Sequence, residues 1–90
     1  NFLGDAVISV GSTGYAYVSP KDIFRKALQQ NASQIVILHN LPSGDPTPSM
    51  EDVEVTERLR CGAELLGLTL ADHIIIGDNQ FYSFYDNQLM

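Results

Sequence analysis

Ninety residues can build one modest hydrophobic core and not two, so a single domain is expected, cut from a longer protein if the non-methionine start at Asn1 is a guide. Hydrophobic residues make up 44% and charged residues 18%, a balance that excludes an intrinsically disordered chain. Five Lys and Arg stand against eleven Asp and Glu, for a net charge of −6; this opposes autonomous nucleic-acid binding, which rests on neutralising phosphates with basic side chains.

No apolar run reaches the length of a membrane span, and no signal peptide is visible, so a cytoplasmic setting is the expectation. Cys61 is the only cysteine. An internal disulfide and a Cys-rich zinc site are therefore excluded, and a packed, inert thiol is expected.

Taken in order, Ala6 to Val10 reads as a strand, ended by Gly11-Ser12-Thr13-Gly14. Tyr15 to Val18 reads as a second short strand, joined by a hairpin or a looser connection. Ser19-Pro20-Lys21-Asp22 is a helix start: Ser19 caps, Pro20 suits the first helical position, and Asp22 stands where it completes a capping box. Ile23, Phe24, Ala27 and Leu28 form that helix's apolar face, and Asn31-Ala32-Ser33 ends it.

Ile35 to Leu38 is apolar, β-branched and too short for a helix, so it predicts a buried strand with His39 at its end. The loop that follows is stiffened by Pro42, Pro46 and Pro48. A second helix is predicted from about Ser49 to Leu66, with Val55, Leu59, Gly62, Ala63 and Leu66 as its stripe and its charged residues in solvent. Gly62 hints at close packing, and Gly67 is the expected stop. A strand over Leu68–Ile76, interrupted at Ala71-Asp72, a turn at Gly77-Asp78-Asn79 and a last strand over Phe81–Tyr85 complete the chain. The order β-β-α-β-α-β-β predicts an α/β fold, a mixed sheet with flanking helices.

One junction concentrates polar chemistry. Strand end, loop and helix start bring together the His39 imidazole, the Ser49 hydroxyl and the Asp52 carboxylate. A catalytic zinc takes three protein ligands and an open position. His39 and Asp52 supply two, and Asp45 in the loop is a third by geometry alone. The same residues also have a structural reading, with Ser49 and Asp52 as a capping box and His39 as a polar residue at the end of a buried strand. Spacing by itself favours the structural one.

The stretch from Asn31 through Pro42-Ser43-Gly44-Asp45-Pro46-Thr47-Pro48-Ser49 to Thr56, with Leu70-Ala71-Asp72-His73 and Gly77-Asp78, resembles the RadC family of the JAB1/MPN (JAMM) metalloprotease-like superfamily. Gly11, Pro20 and Asp22-Ile23-Phe24 extend the resemblance over nearly the whole chain. It implies a cytidine-deaminase-like fold and a zinc held by two histidines and an aspartate. It also implies a strand glutamate acting on the zinc-bound water, and hydrolysis of an amide or isopeptide bond. Matching residue by residue, His39 and Asp52 fall on metal-ligand positions, and Ser49 on the catalytic position that stabilises the oxyanion. The second histidine of the His-x-His pattern is replaced by Leu41. The glutamate position falls on Ala6; neighbouring Asp5 points to the other face unless a one-residue bulge intervenes. For His73 a hydrogen-bonded structural role is expected.

Three functions follow as expectations. The first is a zinc-dependent peptide or isopeptide hydrolase. The second is a catalytically silent relative, with weak or absent zinc, that contacts a protein or peptide partner. The third is a role in DNA repair, implied by the family's name and opposed by the acidic composition.

Overall fold

The computed structural model describes residues 5–10, 19–41 and 44–90, and within the first strand the side chains of residues 7 and 8 only. The predicted strand over Tyr15–Val18 and the glycine turn before it lie outside the described residues. Six elements run in the order β1 (Asp5–Val10), α1 (Pro20–Gln29), β2 (Gln34–Leu41), α2 (Met50–Leu65), β3 (Thr69–Gly77) and β4 (Gln80–Ser83). The sheet order is β1-β2-β3-β4. The first three strands are parallel and β4 returns antiparallel, so this is the expected mixed α/β sheet.

Crossovers between parallel strands are right-handed as a rule, and with strands laid down in order that rule puts both helices on one face of the sheet. The core shows it. Ile23 and Ala27 of α1 share one cluster with Ile8, Ile35, Ile37 and Leu70 of the sheet and Leu59 and Ala63 of α2. The helices also touch each other: a Cβ on Gly62 would stand 3.1 Å from the Phe24 ring, so the glycine serves close packing as expected. The stripes fade at the helix ends. Leu28 is 53% exposed and Leu66 48%, against the expectation that both are buried. Leu28 lies in the last turn of α1 and lines an open groove with Phe24 beside the buried Ala27, and Leu66 is the C-cap of α2.

Local signals account for most boundaries. The Ser19 side chain accepts from the Asp22 N–H, but the Asp22 carboxylate pairs with Arg25 and does not close a capping box. Gly67 ends α2 in the left-handed region, at φ 76°. Asp78 and Asn79, both at positive φ, form the two-residue turn of the β3–β4 hairpin. β4 stops at Ser83, shorter than predicted, and Phe84 to Gln88 form turns.

The predicted interruption of β3 is a bulge. Leu70 pairs with Ile35 and Asp72 with Val36, so Ala71 has no opposite number. One extra residue reverses the alternation beyond it. Leu70 faces the helices, and so do His73, Ile75 and Gly77, all buried. Without the bulge His73 would face the other way.

Candidate metal centre

His39 lies two residues inside β2, not at its end, because the strand continues to Leu41. It shares the helix-side face with Ile35 and Ile37 and is 2% exposed. Parallel strands bring their carboxyl ends to one edge, and α2 begins over that edge, a common place for sites in α/β sheets. The connecting loop is held by its own bonds. The Gly44 N–H donates to the Leu41 carbonyl, and the Asp45 carboxylate accepts from the Thr47 N–H at 2.9 Å. A Cβ on Gly77 would meet the Gly44 carbonyl oxygen at 2.4 Å and the Leu41 carbonyl oxygen at 2.8 Å. The loop therefore rests backbone to backbone on the end of β3, which only glycine permits. Gly77, predicted as a turn residue, is this seat; the turn itself is Asp78-Asn79.

At the helix start, Ser49 and Asp52 close a reciprocal capping box. The Asp52 N–H donates to Ser49 Oγ at 3.1 Å, and the Ser49 N–H donates to Asp52 Oδ2 at 2.8 Å. Asp52 still reaches His39 through space. Burial lowers the His39 pKa and the Asp52 charge partly offsets that.

Behind His39 stands a second imidazole. The His39 and His73 rings lie 6.1 Å apart at 23°, and His73 stacks on Phe84 at 4.7 Å and 8°. The Thr56 hydroxyl donates to the Asp52 carbonyl oxygen at 2.7 Å and lies 2.7 Å from His73 Nδ1. A hydroxyl has one proton to give, so with Thr56 donating to Asp52 this contact requires a proton on His73 Nδ1. Burial pushes the His73 pKa down to about 4; His39 adds to the shift and Asp72 opposes it. The Asp72 carboxylate accepts from the His73 N–H, the Ser83 hydroxyl and the Tyr85 N–H, pinning the turns after β4 to the bulge. The expected structural histidine is thus present, with Thr56 as a partner the stripe analysis passed over. Thr56 is 1% exposed, but a lone threonine among acidic residues carries no sign of burial in sequence.

The donor set does not fit a catalytic zinc. His39 and Asp52 interact electrostatically, and one oxygen of the Asp52 carboxylate is engaged by the helix cap. Leu41, two residues on in β2, lies on the same face as His39 and sets an apolar side chain beside it. Asp45 is exposed and turned to Thr47. Among the described residues no group of three or more His, Cys, Asp or Glu is placed to hold a metal ion. The β1–β2 register runs unbroken from Asp5 to Val10, so the bulge that would re-aim Asp5 is absent from that span. Cys61 is exposed, not packed as expected. None of the described helices is long and apolar enough to cross a membrane.

A parallel βαβαβ unit with a histidine near the carboxyl end of its central strand and a Ser-x-x-Asp helix start defines a JAB1/MPN-type α/β domain. Comparison with known proteins narrows this: the chain belongs to the RadC-like JAB domain family, whose profile matches residues 1–89. A UPF0758 protein of Desulfitobacterium hafniense is 47% identical over 88 residues, covering 98% of this chain and 39% of the relative. One from Geotalea uraniireducens is 48% identical over 83 residues, covering 92% and 36%. One from Thermotoga maritima is 44% identical over 84 residues, covering 93% and 38%. The chain spans about two fifths of the length of these curated relatives.

Proposed function

We propose that this chain is a RadC-like JAB domain with a degenerate hydrolytic centre, retained for contact with a protein or peptide and without efficient peptidase turnover. The observation that carries the reading is the ligand edge itself, where Leu41 stands beside His39 and the Asp52 carboxylate closes the cap of α2. Two donors make a loose, easily stripped metal site. Ala6 offers no carboxylate to a metal-bound water, so the general base that the resemblance implies has no counterpart there. Ser49, the oxyanion donor by resemblance, serves here as the N-cap. A partner of protein character accords with the net charge of −6, which disfavours direct contact with DNA phosphates; a link to DNA repair would run through another protein.

The test is the metal content of protein purified without a metal-affinity column. The expected result is well under one zinc per chain. Leu41→His should raise zinc affinity by an order of magnitude or more, since it restores an imidazole on the same face as His39. Hydrolysis of a model isopeptide should appear only when Ala6→Glu is added. Near-stoichiometric zinc in the unmodified protein, lost on His39→Ala, would overturn the reading.

A further inference from the structure

The face of the sheet turned away from the helices is largely apolar. The register sets it out in three cross-strand rows: Val7, Val36 and Asp72; Leu38, Ile74 and Ser83; Asn40, Ile76 and Phe81. Val7 is 59% exposed, Ile76 39% and Phe81 68%, with Val36, Leu38 and Ile74 half-buried. Of the described side chains on this face only Asp72 is charged. Its carboxylate already accepts from the Ser83 hydroxyl and from the His73 and Tyr85 N–H groups. Four strands about 4.8 Å apart and three rows about 6.7 Å apart give a footprint on the order of 400 Å². Apolar patches of that size on a single chain mark contact surfaces.

The sequence carries the same sign. Ile35-Val36-Ile37-Leu38 and Ile74-Ile75-Ile76 are apolar at consecutive positions. A sheet with one wet face alternates; unbroken apolar runs belong to parallel strands covered on both faces. The helices cover one face, and among the described residues no helix lies on the other.

We propose that this open face is the seat of polypeptide outside residues 1–90, a further segment of the same, longer chain that packs on it permanently. Two observations point to that occupant. The chain covers 39%, 36% and 38% of three curated relatives, so some three fifths of each lies outside the shared part and is available as cover. The second is chemical. A partner that comes and goes is steered and selected by charge and hydrogen bonding. Here the one described charge is already satisfied, and Asn40 is the main polar group left over. Such a surface suits permanent packing, as in a core cut in half. A tethered segment needs no steering, because its linkage holds it at a high effective concentration. The inference is independent of any metal chemistry.

Thiol reactivity in the full-length UPF0758 protein of Desulfitobacterium hafniense tests this. With its own cysteines changed to serine, single cysteines are placed at the positions aligned with Phe81, with Ile76 and, as a control, with Leu65, which is 88% exposed at the end of α2. Modification by dithionitrobenzoate is then timed. The thiol at the Leu65 position should react freely. Those at the Phe81 and Ile76 positions should react at least about tenfold more slowly, since a covered thiol reacts only when its cover opens. In residues 1–90 alone, with Cys61→Ser, Phe81→Cys and Leu65→Cys should react at comparable rates. Far-UV circular dichroism checks that each variant is folded, and the Ile76 position carries the test should the Phe81 variant not be. Comparable rates at all three positions of the full-length protein would overturn the proposal. So would protection that fades on dilution, which would give the face to a second copy.

Discussion

Thr56→Val tests the tie between α2 and β3. The substitution keeps the shape of the side chain and removes the hydroxyl that joins the Asp52 carbonyl to His73 Nδ1. The carbonyl keeps its helical bond from residue 56, so the larger loss falls on the His73 N–H, which sits where no water reaches. A buried donor stripped of a partner costs about 1–3 kcal/mol. For a domain of this size, about 2 kcal/mol corresponds to a fall in Tm of roughly 8–16 °C. Urea melts at pH 7.5 should show a lower midpoint at unchanged slope. The same change made in a His73→Phe background should cost much less, because the donor is gone and an aromatic ring can stack on Phe84 in its place. Additive losses in the double variant would refute the hydrogen bond as the coupling, and so would a loss under about 0.5 kcal/mol for Thr56→Val alone.

Gly77→Ala should destabilise by about 2 kcal/mol or more, because the new methyl group meets two backbone carbonyl oxygens that no rotamer change can move aside; amide shifts in the 41–47 loop should change more than those in α1, and an unperturbed loop would count against the seat. Acid stability should report His73. Its folded pKa of about 4 lies below the ordinary 6.5, so the unfolded chain takes up the proton first and stability falls as pH drops from about 6.5 to about 4. The full difference is about 3 kcal/mol. His73→Phe should flatten that part of the pH profile, and an unchanged slope would show that other groups dominate it.

Features set by a few neighbouring residues were legible in the sequence. Ser19-Pro20, Ser49-x-x-Asp52 and Gly67 bounded the helices within a residue or two, because caps act through local hydrogen bonds and backbone preference. The apolar run at Ile35–Leu38 was legible as the inner strand for a similar reason. What escaped depended on contacts far along the chain. The inward turn of His73 follows from one unpaired residue at Ala71, and alternation read without the bulge gives the wrong face. Thr56 is buried because His73 meets it seventeen residues on. Leu28 and Leu66 stand at the ends of their helices on the rim of the apolar stripe, beside residues that are buried, and the stripe alone does not mark that rim. At the candidate site, the family resemblance set Leu41 against a histidine position, and the strand register puts Leu41 on the same face as His39. The Ser49–Asp52 cap was legible from spacing, while Asp45 turned to Thr47 needed coordinates.

The loop at the carboxyl edge is shaped by three devices that use neither His39 nor Asp52, the Gly44–Leu41 turn, the Asp45–Thr47 bond and the seat on Gly77, and by the Ser49–Asp52 cap. Ligand identity and loop architecture are therefore separable traits. A side chain at position 41 can change at little cost in folding, since the hydrogen bonds among the loop's described residues use only the Leu41 backbone. The scaffold can thus be kept whether or not the chemistry is, with position 41 free to vary on a surface that is otherwise already built.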